Sequence, residues 1–369
     1  MKVPLAQGAI ALRADSNGPE PKSLSLVAPL APQPTAAAVD ASMSAGEVAF
    51  ANLHGLLADW LRHEPGARLG QDPEALHDLR VTARRMDATL SLFAPYLPEG
   101  LVRARGKLKT LLRILGTPRD LDIQLGQLTQ ISPQLPEGER PALEPLLHHL
   151  ESERARARAR MLQALDSEST RGWIDTLRAS VEEPSYAPSA SSLSAAGVMP
   201  ELVRGRFRKL RKAFRQLNAL SSMEEYHAVR ARAKKLRYTI EPASVIYGKP
   251  AAEMLRALRR LQDRLGTQQD AYVAKNRLLA IAADPPRGLP SQTLFLMGRL
   301  AERHSMAAAE ARKPVEKAWR KVRGRRWRAL RLKLEELRAT SPVPQEAPLR
   351  VVDVNLAAGL ERPSHSVSA

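Results

Sequence analysis

The chain has 369 residues and carries 57 Lys and Arg against 39 Asp and Glu, a formal net charge of +18. Cysteine is absent, which excludes disulfides, thiolate metal ligands and cysteine nucleophiles, and with them a small secreted fold held by disulfides. The basic excess predicts a polyanionic partner: nucleic acid, a phosphate polymer or an acidic membrane surface. Aromatic residues, at 4%, are few for a protein that stacks many bases.

Composition divides the chain into ordered and unordered segments. Residues 1–41 are rich in proline, alanine and serine and lack hydrophobic periodicity, so we expect a disordered leader and not a secretory signal. Residues 339–369 predict a disordered tail, and a Pro/Ser/Ala-rich linker at 183–197 separates two helical halves, 42–182 and 198–338. No apolar run approaches the roughly 20 residues that span a bilayer, so we expect a cytoplasmic protein.

The ordered segments predict an all-α fold. Apolar residues recur at three- and four-residue spacing, and no run of alternating β-branched residues is present. Capping-box spacing predicts helix starts at Ser44 and Ser221, and Asp72 before Pro73 predicts a third. The predicted helices lie near 44–64, 73–94, 99–115, 118–131, 138–166, 169–182, 199–219, 223–247, 250–265, 268–283, 290–312 and 314–338.

An internal repeat at an offset of 150 residues is the most informative feature. The segment 77–86 (HDLRVTARRM) aligns without a gap with 227–236 (HAVRARAKKL), and the Leu-Gly-Thr-x-x-Asp motif of 115–120 recurs at 265–270. Chance similarity between helices explains leucine on leucine. It poorly explains His, Arg, Gly, Thr and Asp at a single offset, so we predict a duplicated supersecondary unit.

The first motif predicts a helix with one basic face. A rotation of about 100° per residue puts His77, Arg80 and Arg84 on one side and the apolar residues of the segment on the other. The second copy has the same pattern, with lysine in place of the second arginine. Charged faces are usually only solvated, but the repeated histidine and the self-repulsion of clustered cations favour anion binding.

The histidines themselves allow two interpretations. Each is either a hydrogen-bonded structural group or a group that contacts the ligand. In the second case, protonation at about pH 6 to 7 would strengthen the contact. We do not expect a metal site, because no second histidine or carboxylate has ligand spacing.

The second motif also allows two interpretations. Gly116 and Gly266 have the place of a left-handed glycine that ends a helix, and the threonines that follow would cap the next helix. Alternatively, Asp120 and Asp270 pair with cations of the histidine-bearing helices and orient them. Both can hold at once.

Further cations surround these motifs. Arg105, Lys109 and Arg113 have four-residue spacing and predict a basic ridge along one helix. The alternating arginines of 154–160 cannot share one face, so we expect them to be solvated. The basic run of 321–328 is ambiguous between a solvated face and a functional one.

At these residues the sequence resembles the CHAD family, the conserved histidine α-helical domain. The matching pieces are 76–85, 115–122, 227–238 and 261–270, and the resemblance runs over about residues 42–338. It implies two pseudo-symmetric antiparallel helical bundles from an internal duplication, with basic helices lining a central groove or pore. It also implies non-catalytic binding of inorganic polyphosphate and association with polyphosphate granules in bacteria.

The resemblance also implies which residues bind polyphosphate. These are His77, Arg80, Arg84, Arg85, His227, Arg230, Lys234 and Lys235, with Lys109, Arg113 and Arg119 as companions. The basic face of the second motif and the basic ridge of the second half add further candidates, namely Arg237, Tyr238, Arg256, Arg259 and Arg260. The second half departs from the first where Gln269 replaces Arg119 and Asp263 replaces Arg113, which predicts an uneven groove. CHAD proteins often carry an N-terminal CYTH-type triphosphate domain. No Glu-x-Glu-x-Lys motif occurs here, so we expect that domain to be absent or reduced to a remnant.

Two other classes of function have weaker support in the sequence. The charge alone permits a nucleic-acid-binding protein, but no helix-turn-helix spacing, RNA-binding sheet motif or zinc finger occurs. An enzyme acting on phosphate polymers would need a phosphate-cradling glycine loop, an HExxH motif or paired carboxylates for Mg²⁺, and none is found. We therefore expect a polyphosphate-binding protein with no enzymatic activity, cofactor, metal or membrane partner.

Overall fold

The computed structural model describes residues 39–185, 193–218 and 220–339, so nearly all of the predicted leader and tail lies outside the described residues. The predicted all-α class is confirmed: the described residues form helices and contain no β-strand. In chain order the α-helices are α1 (Ala45–Leu69), α2 (Pro73–Leu92), α3 (Glu99–Ile131), α4 (Glu144–Asp166), α5 (Glu168–Glu182), α6 (Ala195–Gln216), α7 (Met223–Ile240), α8 (Ser244–Ala283), α9 (Ser291–Glu310), α10 (Lys313–Lys321) and α11 (Trp327–Ala339). Short 3₁₀ segments lie at Ala94–Tyr96, Ser132–Gln134, Glu137–Leu143 and Glu241–Ala243, and a π segment at Val322–Arg326.

Side-chain caps fix where α1, α2, α5 and α7 begin. The capping box at Ser44 forms as predicted, and the start of α2 also matches its prediction. The capping box of α7 lies one residue later than predicted, with Ser222 and Glu225 bonded reciprocally. Ser221 does not cap α7. Its hydroxyl instead accepts a hydrogen bond of 3.0 Å from the backbone N–H of Asn218 in the preceding turn.

The predicted helix breaks after Leu115 and Leu265 are wrong. α3 continues through Gly116 and Pro118, and α8 continues through Gly266. Both helices carry a buried apolar stripe on each side of the glycine, and packing of such a stripe outweighs the local propensity to stop. Conversely, the helix predicted over 223–247 ends at Ile240, and the chain turns through a 3₁₀ segment before α8.

The two halves begin with the same order of elements, two helices, a 3₁₀ segment and a long third helix. α1 begins 150 residues before α6, and α2 begins 150 residues before α7. An isolated antiparallel β-bridge joins Ser44 to Ser194, with backbone hydrogen bonds of 2.8 and 3.0 Å that link the starts of α1 and α6. This order agrees with the duplication inferred from the sequence, which stays a prediction.

Two hydrophobic clusters hold the halves together. The larger one joins α1 and α2 to α6 and α7, and in it Trp60 packs edge-on against Trp173 with ring centroids 5.7 Å apart. The smaller one joins α3 and α4 to α8 and α9, where Thr293 Oγ1 donates a hydrogen bond of 2.8 Å to the Ala142 carbonyl. Among the residues that the structure describes, no helix combines the length and apolar content needed to cross a bilayer.

Stacked aromatic rings fix the C-terminal helices to α6. Phe207 stacks on Trp327 with centroids 3.7 Å apart, and Phe214 stacks on Trp319 at 4.6 Å. The chain between the two tryptophans widens into the π segment, where Gly324 leaves helical geometry at φ −89°, ψ −131°. The order of these stacked pairs shows that α10 and α11 run antiparallel to α6.

Candidate anion-binding site

The histidine-bearing helices α2 and α7 pack against each other. Their apolar faces enter the core, where Leu79 and Val229 are buried, as the helical period predicts. Their basic faces lie close enough for the charge of Arg84 on α2 to lower the pKa values of Arg230 and Lys234 on α7, in addition to the larger effect of burial. The structure therefore brings cations of both halves together at one place.

In the first half, the Gly-x-x-x-Asp motif of α3 receives the guanidinium of Arg80. This arginine is buried, and its Nη1 donates to the Gly116 carbonyl at 2.9 Å and to Asp120 Oδ1 at 3.1 Å. Burial, followed by the charge of Arg84, lowers the pKa of Arg80 to about 10, so the group stays charged at neutral pH. Of the two interpretations of this motif, pairing with the histidine-bearing helix is confirmed here, and helix capping is wrong.

In the second half Arg230 lies beside Gly266 of α8, as Arg80 lies beside Gly116 of α3, but with fewer hydrogen bonds. A Cβ at Gly266 would lie 3.4 Å from Arg230 Nη2, so the glycine leaves room for this guanidinium. Arg230 Nε is buried and has no hydrogen-bond partner among the described atoms. Asp270 favours the charged form of Arg230 but lies outside ion-pair distance. Burial, together with the charge of Asp120, raises the pKa of Asp270 itself.

Lys234 is the least compensated cation of the site. Burial, and then the charges of Arg230, Arg84 and Arg237, lower its pKa well below the usual value, and Asp270 opposes them. Within the described ranges, no carboxylate lies at ion-pair distance from Lys234, Arg84 or Arg230. We call Arg80, Arg84, Arg230 and Lys234 the inner basic cluster. Its single ion pair, from Arg80 to Asp120, leaves a net positive charge that a polyvalent anion would neutralise.

The histidines flank this cluster and differ from each other. Burial, followed by the charge of Arg119, lowers the pKa of His77 to about 4, so His77 is neutral at pH 7. The prediction that protonation near pH 6 to 7 strengthens a histidine contact is therefore wrong for His77. Arg119 is tied to the start of α2, where it bonds Glu74 at 2.9 Å. His227 Nδ1 is buried and has no hydrogen-bond partner among the described atoms.

At the other end of the basic faces, three arginines share one carboxylate. Glu241 lies 3.8 Å from Arg85, 3.4 Å from Arg237 and 4.0 Å from Arg259, and Arg85 comes from the first half. Arg237 also lies over the ring of Tyr238 at 4.7 Å. The sequence did not predict a role for Glu241. Its place one helical turn after Arg237 was the only local signal, because its other partners are distant in sequence.

The remaining predicted positions differ in exposure. Four of them are exposed, namely Lys109, Arg113, Arg256 and Arg260. Lys235 is half-buried. The predicted ridge is wrong for Arg105, which is buried and bonds Asp87 at 2.6 and 3.3 Å.

The arginines of α4 divide into two classes. Arg154 pairs with Asp122, and Arg158 donates to the Ala67 carbonyl at 3.2 Å, so the expectation of solvation is wrong for these two. Arg156 and Arg160 are exposed, as expected. Across the described part of the chain, no group of three or more His, Asp or Glu side chains could hold a metal ion.

Comparisons with known proteins agree on the fold. The CHAD domain model matches residues 51–279. The chain is 27% identical over 266 residues to two uncharacterized proteins of Mycobacterium tuberculosis, MT2285 and Rv2226. This match covers 68% of the chain and 48% of each relative, so the chain spans about half the length of the curated relatives it matches.

Two solved structures have similar folds. The CHAD domain from the plant Ricinus communis is 26% identical at a TM-score of 0.59, covering 84% of this chain and 99% of that chain. PptA from Streptomyces chartreusis is 21% identical at a TM-score of 0.59, covering 75% of this chain and 99% of that chain, and shows likeness of fold alone.

Proposed function

The chain belongs to the CHAD domain family, and on that premise we propose that it binds inorganic polyphosphate through the inner basic cluster, without catalysis. The observation that carries the proposal is Lys234, a cation surrounded by arginines with no carboxylate at ion-pair distance among the described residues. Phosphate oxygens supply the missing charge, and guanidinium groups bind them in bidentate fashion.

The layout of the cations favours a chain over a single phosphate. On α7, His227, Arg230, Lys234 and Arg237 follow one another at three- and four-residue spacing. At 1.5 Å per residue this stripe extends over about 15 Å, which is longer than one phosphate group. A polymer with one charge per phosphate meets each of these side chains in turn.

A nucleic acid is a weaker fit to the inner basic cluster. Single-stranded nucleic acids are usually held by aromatic rings on which bases stack. Tyr238, an aromatic residue of α7 next to the basic stripe, is covered by Arg237. Polyphosphate has no bases and needs no such platform.

The proposal extends to the organisation of the chain. Both halves, residues 42–182 and 198–338, contribute cations to one track and are joined by the linker at 183–197. The exposed cations Lys109, Arg113, Arg256 and Arg260 guide the polymer toward the track by long-range attraction. Association with polyphosphate granules follows from binding of the polymer.

Arg84→Gln tests the proposal. Arg84 is exposed and has no carboxylate partner among the described residues, so its loss leaves the fold intact, whereas Arg80 bonds the Gly116 backbone and is a less suitable target. We expect the dissociation constant for long-chain polyphosphate to rise about tenfold, the value of one charge-assisted hydrogen bond. Titration at fixed salt measures the change, and circular dichroism checks helicity.

Arg156→Gln is the matched control, because it removes the same charge from an exposed position on α4. Equal weakening by both substitutions would contradict a localised site. If Arg84→Gln weakened the binding of duplex DNA as much as that of polyphosphate, at matched charge and salt, the assignment of polyphosphate as the ligand of this cluster would be contradicted. Cleavage of polyphosphate by the protein in the presence of a divalent metal ion would contradict the proposal that binding is not accompanied by catalysis.

A further inference from the structure

A second basic surface lies on the outside of the second half. Six exposed cations form it: Arg211, Lys212 and Arg215 on α6, and Lys321, Arg323 and Arg325 around the π segment. We call these six residues the outer basic surface. The sequence left the run of 321–328 ambiguous, and polyphosphate binding at the inner basic cluster does not involve it.

The two groups of cations lie on elements that pack against each other. The helical period puts Arg211 and Arg215 on the side of α6 that also carries Arg204. Arg204 bonds Glu335 of α11 at 3.1 Å, so this side of α6 borders the C-terminal helices. The stacking of Phe207 and Phe214 on the two tryptophans holds the helices antiparallel and at the same level.

The charge of the outer basic surface is not compensated within the protein. Over the described ranges, none of its six side chains has a carboxylate at ion-pair distance. Cations clustered in this way repel one another unless an external polyanion relieves them. The acidic residues of the region are engaged elsewhere, as in the pairs of Glu201 with Arg208 and Glu335 with Arg204.

This surface is separate from the inner basic cluster. On α6 and α7, Val203, Leu210 and Val229 belong to one buried hydrophobic cluster, and the helix faces that carry the two sets of cations lie outside it. A ligand in the inner basic cluster therefore leaves the outer basic surface open. The protein has two basic surfaces that different polyanions can occupy at the same time.

We infer that the outer basic surface binds the phosphate backbone of double-stranded nucleic acid without reading its sequence. Of the aromatic side chains beneath it, Phe207, Phe214 and Trp319 are buried, and the half-buried Trp327 is stacked face to face on Phe207, so the surface offers no free ring for stacking unpaired bases and no apolar wedge for a membrane. An open surface also favours a stiff polyanion, which loses little conformational freedom on binding, over a flexible phosphate chain.

The test compares two variants that each lose four positive charges. The first is R211Q/R215Q/R323Q/R325Q, on the outer basic surface. The control is R156Q/R160Q/R171Q/R178Q, on α4 and α5, whose arginines are also exposed. Fluorescence anisotropy measures the binding of a labelled duplex DNA of about 20 base pairs over a range of salt concentrations, first without polyphosphate and then with saturating short-chain polyphosphate.

We expect the outer variant to bind the duplex about tenfold or more weakly than the control, with the salt slope reduced by about 0.9 for each phosphate that is no longer neutralised. Arg84→Gln should leave duplex binding unchanged, so failure of the polyphosphate proposal would be seen separately. Equal binding by the two fourfold variants would overturn the inference. So would displacement of the duplex by short-chain polyphosphate, or weaker binding to anionic lipid vesicles as the only defect of the outer variant.

Discussion

At the scale of single residues, His77 is the clearest case of a side chain whose pKa is set by its surroundings. Its pKa of about 4 results first from burial and then from the charge of Arg119. In the unfolded chain a histidine has a pKa of about 6.5. The unfolded state therefore binds the proton more readily, and the contribution of neutral His77 to stability is present above about pH 6.5 and is lost as the pH falls toward 4.

His77→Gln should remove this dependence. We expect the free energy of unfolding of the wild type to fall more than that of the variant between about pH 6.5 and 4, by up to about 3 kcal/mol. Urea denaturation at a series of pH values measures the difference.

His148→Gln, at an exposed position on α4, is the control and should follow the wild type. Parallel pH profiles for the wild type and H77Q would show that His77 is not held neutral by the fold.

At the scale of elements, a buried ion pair joins α2 to α3. Asp87 accepts bonds from Arg105 at 2.6 and 3.3 Å, and both side chains are almost wholly buried. The second half lacks this pair, because the positions 150 residues later are Arg237 and Leu255. The two halves thus compensate a buried arginine with different carboxylates. In the first half Asp87 pairs with Arg105, and in the second half Glu241 lies beside Arg237.

Asp87→Ala should destabilise the protein by about 3–5 kcal/mol, because it leaves the Arg105 charge buried without a partner. Urea denaturation measures the loss. Replacing both partners by leucine should recover much of it, since an apolar pair needs no compensation. Arg103→Ala, which breaks an exposed pair with Glu99, should cost less than about 1 kcal/mol, and an equal cost for D87A would contradict this account.

The elements also show where sequence reasoning succeeds and where it stops. Helical period gave the all-α class and the basic and apolar faces of α2 and α7, because both depend on neighbours within a few residues. The breaks predicted at Gly116 and Gly266 were wrong, since packing of the buried stripes of α3 and α8 against helices distant in the chain outweighs the local propensity to stop. The role of Glu241 was missed for the same reason, as Arg85 is distant in the chain.

At the scale of the whole molecule, the halves are joined at two places, by the cluster of α1, α2, α6 and α7 and by the cluster of α3, α4, α8 and α9. Elements joined by shared cores open together, and their most protected amides exchange only in global unfolding. We therefore predict that the slowest-exchanging amides of α2 and α7 have the same free energy of opening, equal to that from urea denaturation. Hydrogen exchange with mass spectrometry measures both.

The amides of the mostly exposed loop 284–290, between α8 and α9, are the internal comparison and should exchange faster. A free energy of opening for α7 well below that for α2 would mean that the halves unfold independently.

The π segment at Val322–Arg326 has a consequence for how this region tolerates changes in length. In a regular α-helix, two residues eight positions apart diverge by about 80° around the axis. Trp319 and Trp327 are eight positions apart and yet both stack against α6, because the chain between them leaves helical geometry at Gly324 and brings the second indole back into phase. The length of that stretch and the glycine within it thus decide whether the last helix presents its apolar side to the core.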